Sequence, residues 1–155
     1  MSGQQGFLSR YVFSTDHKVI AKQYLFTGIF WLLAGGLMAL LIRWQLANPF
    51  QPIPFVGKFF FGGKGIMSPD QYNMLFTMHG SIMVFFAITP MVLGAFGNFV
   101  IPLQIGARDM AFPKLNMLSY WLVVPASVIM IASFFAIGGG RAGGWTSYPP
   151  LASCV

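Results

Sequence analysis

Between residues 71 and 103 the chain reads QYNMLFTMHGSIMVFFAITPMVLGAFGNFVIPL, without a single Asp, Glu, Lys or Arg. About 20 mostly apolar residues in a helix cross the ~30 Å hydrocarbon core of a bilayer, and this stretch is longer than that. Its only readily ionisable side chain besides Tyr72 is His79. Two further uncharged runs flank it. One extends from Tyr24 to Ile42, between Lys22 and Arg43; the other lies between Lys114 and Arg141.

Composition points the same way. The 155 residues are 56% hydrophobic and 8% charged, with a mean hydropathy of +0.70. A water-soluble domain uses roughly 25% charged residues to cover its surface, so lipid is the solvent this chain suits. The runs show no clear amphipathic period, as expected of helices surrounded by lipid and other helices. The fold class expected is an all-α polytopic membrane protein with three transmembrane helices.

The runs divide the chain into an N-terminal interfacial segment (1–22), helix one (23–46), an external loop (47–70), helix two (71–103), a cytoplasmic loop (104–114), helix three (115–138) and an external segment (139–155). Arg43 after the first run and the length of that run argue against a cleavable signal peptide. Pro90 is expected to kink helix two. Gly35, Gly36, Gly80 and Gly94 let helices, or a flat cofactor, approach closely. The 47–70 loop, with several Pro and Gly and with Phe59, Phe60 and Phe61 between two lysines, reads as structured and interfacial. Gly138, Gly139 and Gly140 are expected to end helix three.

The net charge of +6 forms no stripe, which favours membrane-edge anchoring over nucleic-acid binding. Arg10, Lys18, Lys22, Arg108 and Lys114 collect on one side and Arg43, Lys58, Lys64 and Arg141 on the other. That margin leans to a cytoplasmic N-terminus. Cys154 is the only cysteine, which excludes an intrachain disulfide and a thiolate cluster.

Chemistry rests on few residues. His79 within a membrane helix is a functional candidate by default: a neutral imidazole can ligate haem iron axially, or it can pack as a hydrogen-bonded histidine. His17, on the opposite side of the membrane, reads as a solvated interfacial residue, with Ser14, Thr15 or Asp16 capping a short interfacial helix. Arg43 reads either as a snorkelling arginine or as a donor to a cofactor carbonyl or acid. Asp109 reads either as an exposed ion pair with Arg108 or as a carboxylate collecting protons at a channel mouth. Asn98 and Asn116 are uncharged polar groups able to hydrogen-bond a water chain beside it.

Several motifs carry a resemblance: Phe13-Ser14-Thr15-Asp16-His17-Lys18, Leu41-Ile42-Arg43, Phe76-Thr77-Met78-His79-Gly80, the run from Pro102 to Pro113, and Gly144-Trp145-Thr146-Ser147-Tyr148-Pro149-Pro150-Leu151. In order and spacing the chain resembles the N-terminal portion of subunit I of haem-copper respiratory oxidases of the A-type, cytochrome c oxidases among them. The resemblance implies the first quarter of a twelve-helix bundle. It implies that His79 is one axial ligand of a low-spin haem, type A, and that Arg43 bonds the formyl group of that haem. Trp145 would lie near the propionates, and Asp109 would open the D proton channel, which Asn98 and Asn116 narrow. The high-spin haem, the copper ligands and every catalytic residue of oxygen reduction would lie in the remainder of the subunit, so this chain alone would be inactive.

The function implied is oxygen reduction to water with electrons from cytochrome c, coupled to proton pumping. Its partners would be the rest of subunit I and the other oxidase subunits, in a bacterial inner membrane. The alternatives are a quinol oxidase subunit I or a non-catalytic membrane assembly fragment. Ala34, Met38, Gln71 and Met74 stand where quinol oxidases carry quinone-site residues, which favours cytochrome c. Gln45 stands where many members place a cation-binding Glu. Ser153-Cys154-Val155 departs from the family pattern, and the chain is expected to be one piece of a larger assembly.

Overall fold

A computed structural model describes residues 6–136 and 139–149. Gly138, Pro150, Leu151 and Ser153-Cys154-Val155 lie outside the described residues. The described chain is helical, without a strand. Three helices are long and apolar enough to cross a membrane: α1 (His17–Ala47), α2 (Pro69–Gln104) and α3 (Pro113–Ser133). The chain is a multi-pass membrane protein of the all-α class.

Each helix boundary has a local cause. Asp16 caps α1, its carboxylate accepting from the Lys18 N–H at 2.7 Å, so the cap starts the spanning helix itself and not a separate interfacial one. Ser68 caps α2 in a reciprocal box with Gln71: the Gln71 N–H donates to Ser68 Oγ at 3.2 Å and the Ser68 N–H to Gln71 Oε1 at 2.9 Å. Pro69 follows at the first helical position, where its missing N–H costs nothing. Pro90 does not end α2. From Ile82 to Ile88 and from Pro90 to Phe96 the helix is wound as wider π turns, a known way to accommodate the lost donor and the ring. Helix α3 stops at Ser133, short of the glycines expected to end it; Phe134, Phe135 and Ala136 close back on Ile131, Ala132 and Ser133 through i→i−3 bonds.

The chain forms two compact units. The first comprises Met1–Trp31 and Val84–Ile129. Its core is Ile20, Tyr24 and Ala95, with Leu25, Met117, Tyr120 and Val123 packed around them. Three side-chain bonds tie α1 to α3: Tyr24 Oη to Ser119 Oγ at 2.8 Å, Thr27 Oγ1 to Tyr120 Oη at 3.1 Å, and Trp31 Nε1–H to Ser127 Oγ at 3.1 Å. Positions 24, 27 and 31 fall on one helix face. The N-terminal segment is held by Trp121 and Gln23, which donate to the Val12 carbonyl, and by Phe13 stacked on Trp121 at 4.8 Å. Gly94 lies beneath the Tyr24 ring, where a Cβ would come within 2.5 Å of ring carbons.

The second unit comprises Leu32–Met83 and Met130–Val155. Leu41, Ile42, Ile53, Met67 and Leu75 form its core. The loop after α1 folds onto this core through Ile53 and Met67. The Gln45 amide pins it, donating to the Asn48 carbonyl at 3.2 Å and accepting from the Met67 N–H at 3.1 Å. Gly57 allows the strand-like approach of Gly65, whose carbonyl oxygen would sit 2.6 Å from a Cβ there.

Gly94→Ala must displace an aromatic ring with little freedom to move, and overpacking of this kind costs about 1–3 kcal/mol. Gly97→Ala meets nothing nearer than 3.9 Å and, as a helix-interior replacement, should gain up to about 1 kcal/mol. Thermal denaturation of the two variants in detergent should show the first lowered and the second unchanged or raised.

Candidate functional site

The sequence candidates fall into two groups, one in each unit. In the second unit His79 sits ten residues into α2, half-buried. Its Nδ1 lies 2.9 Å from the Gly35 carbonyl oxygen. A carbonyl only accepts, so Nδ1 carries a proton, and in the neutral ring the lone pair belongs to Nε2. A backbone carbonyl bonded in this way fixes the tautomer and the ring orientation of a histidine. On the same two helices a Cβ at Gly36 or at Gly80 would meet nothing within 4 Å, whereas one at Gly35 would come within 2.6 Å of the Met83 sulfur. With Nδ1 so engaged, Nε2 is the ring nitrogen that could ligate a metal.

Arg43 follows Gly36 by seven residues, two turns further along the same face of α1. It is exposed and pairs with no acid among the described residues. Trp145 is brought to α2 by a short relay. Its Nε1–H donates to Ser81 Oγ at 3.1 Å, and Ser81 Oγ donates to the Thr77 carbonyl at 3.0 Å. The Gly144 N–H donates to Thr77 Oγ1 at 3.1 Å. Thr77 and Ser81 are therefore the latch that carries Trp145 to the helix bearing His79. Nothing in the spacing of residues 77, 81 and 145 announces this, because the contacts close over more than sixty residues of chain.

The first unit holds the other group. Here one expectation is overturned. His17 is not solvated: it is buried, 4% exposed, with Nδ1 3.1 Å from Asp109 Oδ1. Asp109 in turn is not paired with Arg108. The same Oδ1 accepts from the His17 ring and from the Met110 N–H at 2.8 Å, while the carboxylate stays 39% exposed. The cause is a contact 92 residues apart in sequence, which the loop after α2 makes with the first residue of α1. His17 Nε2 is buried without a protein partner among the described residues.

Asn98 is buried and donates to the Gly94 carbonyl at 2.6 Å. Its Oδ1, like Asn116 Nδ2, is buried without a protein partner among the described residues. Both asparagines border a cavity of about 420 Å³ together with Tyr24, Thr89 and Ser119. Buried amide groups of this kind are normally paired with ordered water. Sequence reading found the two asparagines but missed Tyr24, Thr89 and Ser119, hydroxyls that resemble any helix-packing residue until the cavity is seen. Among the described residues no three of His, Cys, Asp and Glu converge as a metal cluster.

Comparison with known proteins places these residues in context. A family profile described as "Cytochrome C and Quinol oxidase polypeptide I" matches residues 19–154. The chain is 45% identical over 143 residues to a cytochrome c oxidase subunit 1 of Thermostichus vulcanus, covering 92% of this chain and 23% of that protein. It is 46% identical over 144 residues to an alternative cytochrome c oxidase subunit 1 of Bradyrhizobium diazoefficiens, covering 93% and 22%. A putative cytochrome c oxidase subunit 1-beta of Streptomyces coelicolor is 42% identical over 148 residues, covering 96% and 23%. The chain spans less than a quarter of the length of these relatives.

The His17–Asp109 contact is open to a double-mutant cycle. His17→Ala and Asp109→Asn, singly and together, should give a coupling energy on the order of 0.5–1 kcal/mol in thermal or denaturant unfolding, as for a hydrogen-bonded pair in contact. Strict additivity would mean that the two side chains do not interact.

Proposed function

The chain belongs to the cytochrome c and quinol oxidase polypeptide I family, and from that premise we propose that it is part of the catalytic subunit of a terminal oxidase. The complete subunit would reduce oxygen to water with electrons from cytochrome c and couple this to proton pumping. Its membrane would be a bacterial inner membrane, with the N-terminus cytoplasmic. The observation that carries the reading is His79, whose Nδ1 is committed to the Gly35 carbonyl and whose Nε2 is left with the lone pair an iron ligand needs.

In this reading His79 holds a low-spin haem of type A, which supplies one-electron transfer when bound. Arg43 supports that site by placing a guanidinium on the α1 face that carries Gly36, and Trp145 by its tie to Ser81. The second axial ligand, the high-spin haem and the copper are assigned to the remainder of the subunit, and no turnover to this chain alone. The other oxidase subunits are its partners.

Protons are assigned to the first unit. Asp109, partly exposed and braced by His17 and the Met110 N–H, is the carboxylate at the mouth of the path. Asn98 and Asn116 present unpartnered amide atoms where uncharged groups can bond water without trapping a proton. The Tyr24, Thr89 and Ser119 hydroxyls extend the polar lining of the same cavity.

The donor is read as cytochrome c over quinol because, of the four positions a quinone site would use, Ala34, Met38 and Met74 are apolar and three of the four have partners within the chain. Gln71 is spent in the cap of α2, the Met74 sulfur accepts from the Gly140 N–H at 3.0 Å, and Met38 packs on the core of its unit.

In the assembled oxidase, His79→Ala should remove the low-spin haem band from reduced-minus-oxidised spectra; a band of full height in that variant would exclude His79 as the ligand. Asp109→Asn should abolish proton pumping by reconstituted vesicles and slow turnover by about tenfold or more, the lower end of what a lost proton-transfer group costs. Pumping at the parent stoichiometry would remove Asp109 from the path.

A further inference from the structure

The loop between α1 and α2 has two faces of different character. Ile53, Met67, Val56 and Phe61 turn inward onto the core of the second unit. Phe50, Phe55, Phe59 and Phe60 turn outward and are 88%, 103%, 85% and 56% exposed. This outward face is held in place and is not a frayed edge. The Ile53 N–H donates to the Gly65 carbonyl at 2.9 Å, the Gly57 N–H to the Ile53 carbonyl at 3.1 Å, and the Phe61 N–H to the Gly57 carbonyl at 2.8 Å. Phe50 and Phe55 adopt φ of 63°, a left-handed backbone that residues with a Cβ avoid. The fold accepts that conformation while presenting both rings outward.

The charges around these rings are all of one sign. Lys58 lies between Phe55 and Phe59, and Lys64 follows Phe60; both are exposed. No Asp or Glu occurs between Asp16 and Asp70. The loop is also bound to the membrane surface by its ends, since it leaves one spanning helix at Ala47 and enters the next at Pro69. Four projecting aromatic rings interleaved with lysines, beside two membrane-crossing helices, make the pattern of an interfacial anchor. In such anchors aromatic rings sit at the acyl boundary and ammonium groups reach lipid phosphates.

We propose that this loop docks on the leaflet next to α1 and α2, with Phe50, Phe55 and Phe59 entering the lipid and Lys58 and Lys64 selecting anionic headgroups. The occupant is bilayer lipid, because a protein surface matched to this face would have to offer acids to two lysines as well as pockets to the rings, whereas an anionic leaflet offers both at once. The inference rests on the three spans and the exposed loop, and not on the oxidase reading.

The test uses the complete assembled complex in nanodiscs of phosphatidylcholine, with or without phosphatidylglycerol. A spin label is attached at Phe55→Cys or Phe59→Cys in a Cys154→Ser background; both rings are exposed, so neither change opens the core. The label should collide several-fold more often with oxygen than with a water-soluble nickel chelate, and phosphatidylglycerol should raise that ratio. Lys58→Ala with Lys64→Ala should cancel the phosphatidylglycerol effect, and Lys58→Arg with Lys64→Arg should retain it. A label more accessible to nickel than to oxygen would overturn the proposal. So would a label shielded from both reagents, which would identify a protein partner as the cover. An oxygen preference indifferent to phosphatidylglycerol and to the lysines would overturn the headgroup selection.

Discussion

A peptide group inside hydrocarbon has no water to turn to, and each one left unpaired costs several kcal/mol. Within this chain that constraint forces the three spans into helices and then reaches into the side chains. Tyr24, Thr27 and Trp31 carry polar atoms on one face of α1, and each finds a partner on α3. His79 finds the Gly35 carbonyl, a group already committed to the helix but able to accept twice. Helix association in lipid lacks the hydrophobic drive available in water, so such bonds, each worth about 0.6–2 kcal/mol, combine with close packing at residues such as Gly94. The same bonds set the geometry of the candidate sites. A histidine that satisfies its Nδ1 on the neighbouring helix has, by that act, chosen its tautomer.

The spans were legible because their signal is compositional: length, lack of charge and flanking basic residues are all local. The ends of the helices were less so. The first turn of α1 contains His17 and Lys18, and α2 starts on Pro69 and Asp70, so hydropathy alone places both starts too late. The caps at Asp16 and Ser68 are sequence signals, but they compete with the apolar count and win only because a helix can extend past the hydrocarbon into the interface. Pro90 shows the converse. A residue that breaks helices in water is passed over here through wider turns, because leaving the helix inside lipid costs more than distorting it.

The site divided in the same way. His79, Asp109, Asn98 and Asn116 could be picked out individually, since an ionisable or polar residue among apolar ones is conspicuous. What they touch could not. The polar sequence neighbours of His17 point to a solvated ring, yet the ring is buried, with a carboxylate 92 positions away on its Nδ1. Trp145 stood out as an aromatic in a tail, but its place depends on Ser81 and Thr77, two residues that look like ordinary helix hydroxyls. The 420 Å³ cavity is likewise a property of three segments together and of no single one.

The two groups of candidate residues do not share a unit. His79, Arg43 and Trp145 belong to the second, and Asp109, His17, Asn98 and Asn116 to the first. Helices α1 and α2 each contribute residues to both, whereas the hydrogen bonds that define each group stay within its own unit. Each group is held by its own partners: the His79 ring by the Gly35 carbonyl and the Asp109 carboxylate by His17. Helices α1 and α2 are the elements, among the described residues, that contribute candidate residues to both groups. The π turns of α2 between Ile82 and Phe96 lie between His79 and Asn98 along the chain, and π turns inside α-helices are frequent at functional sites.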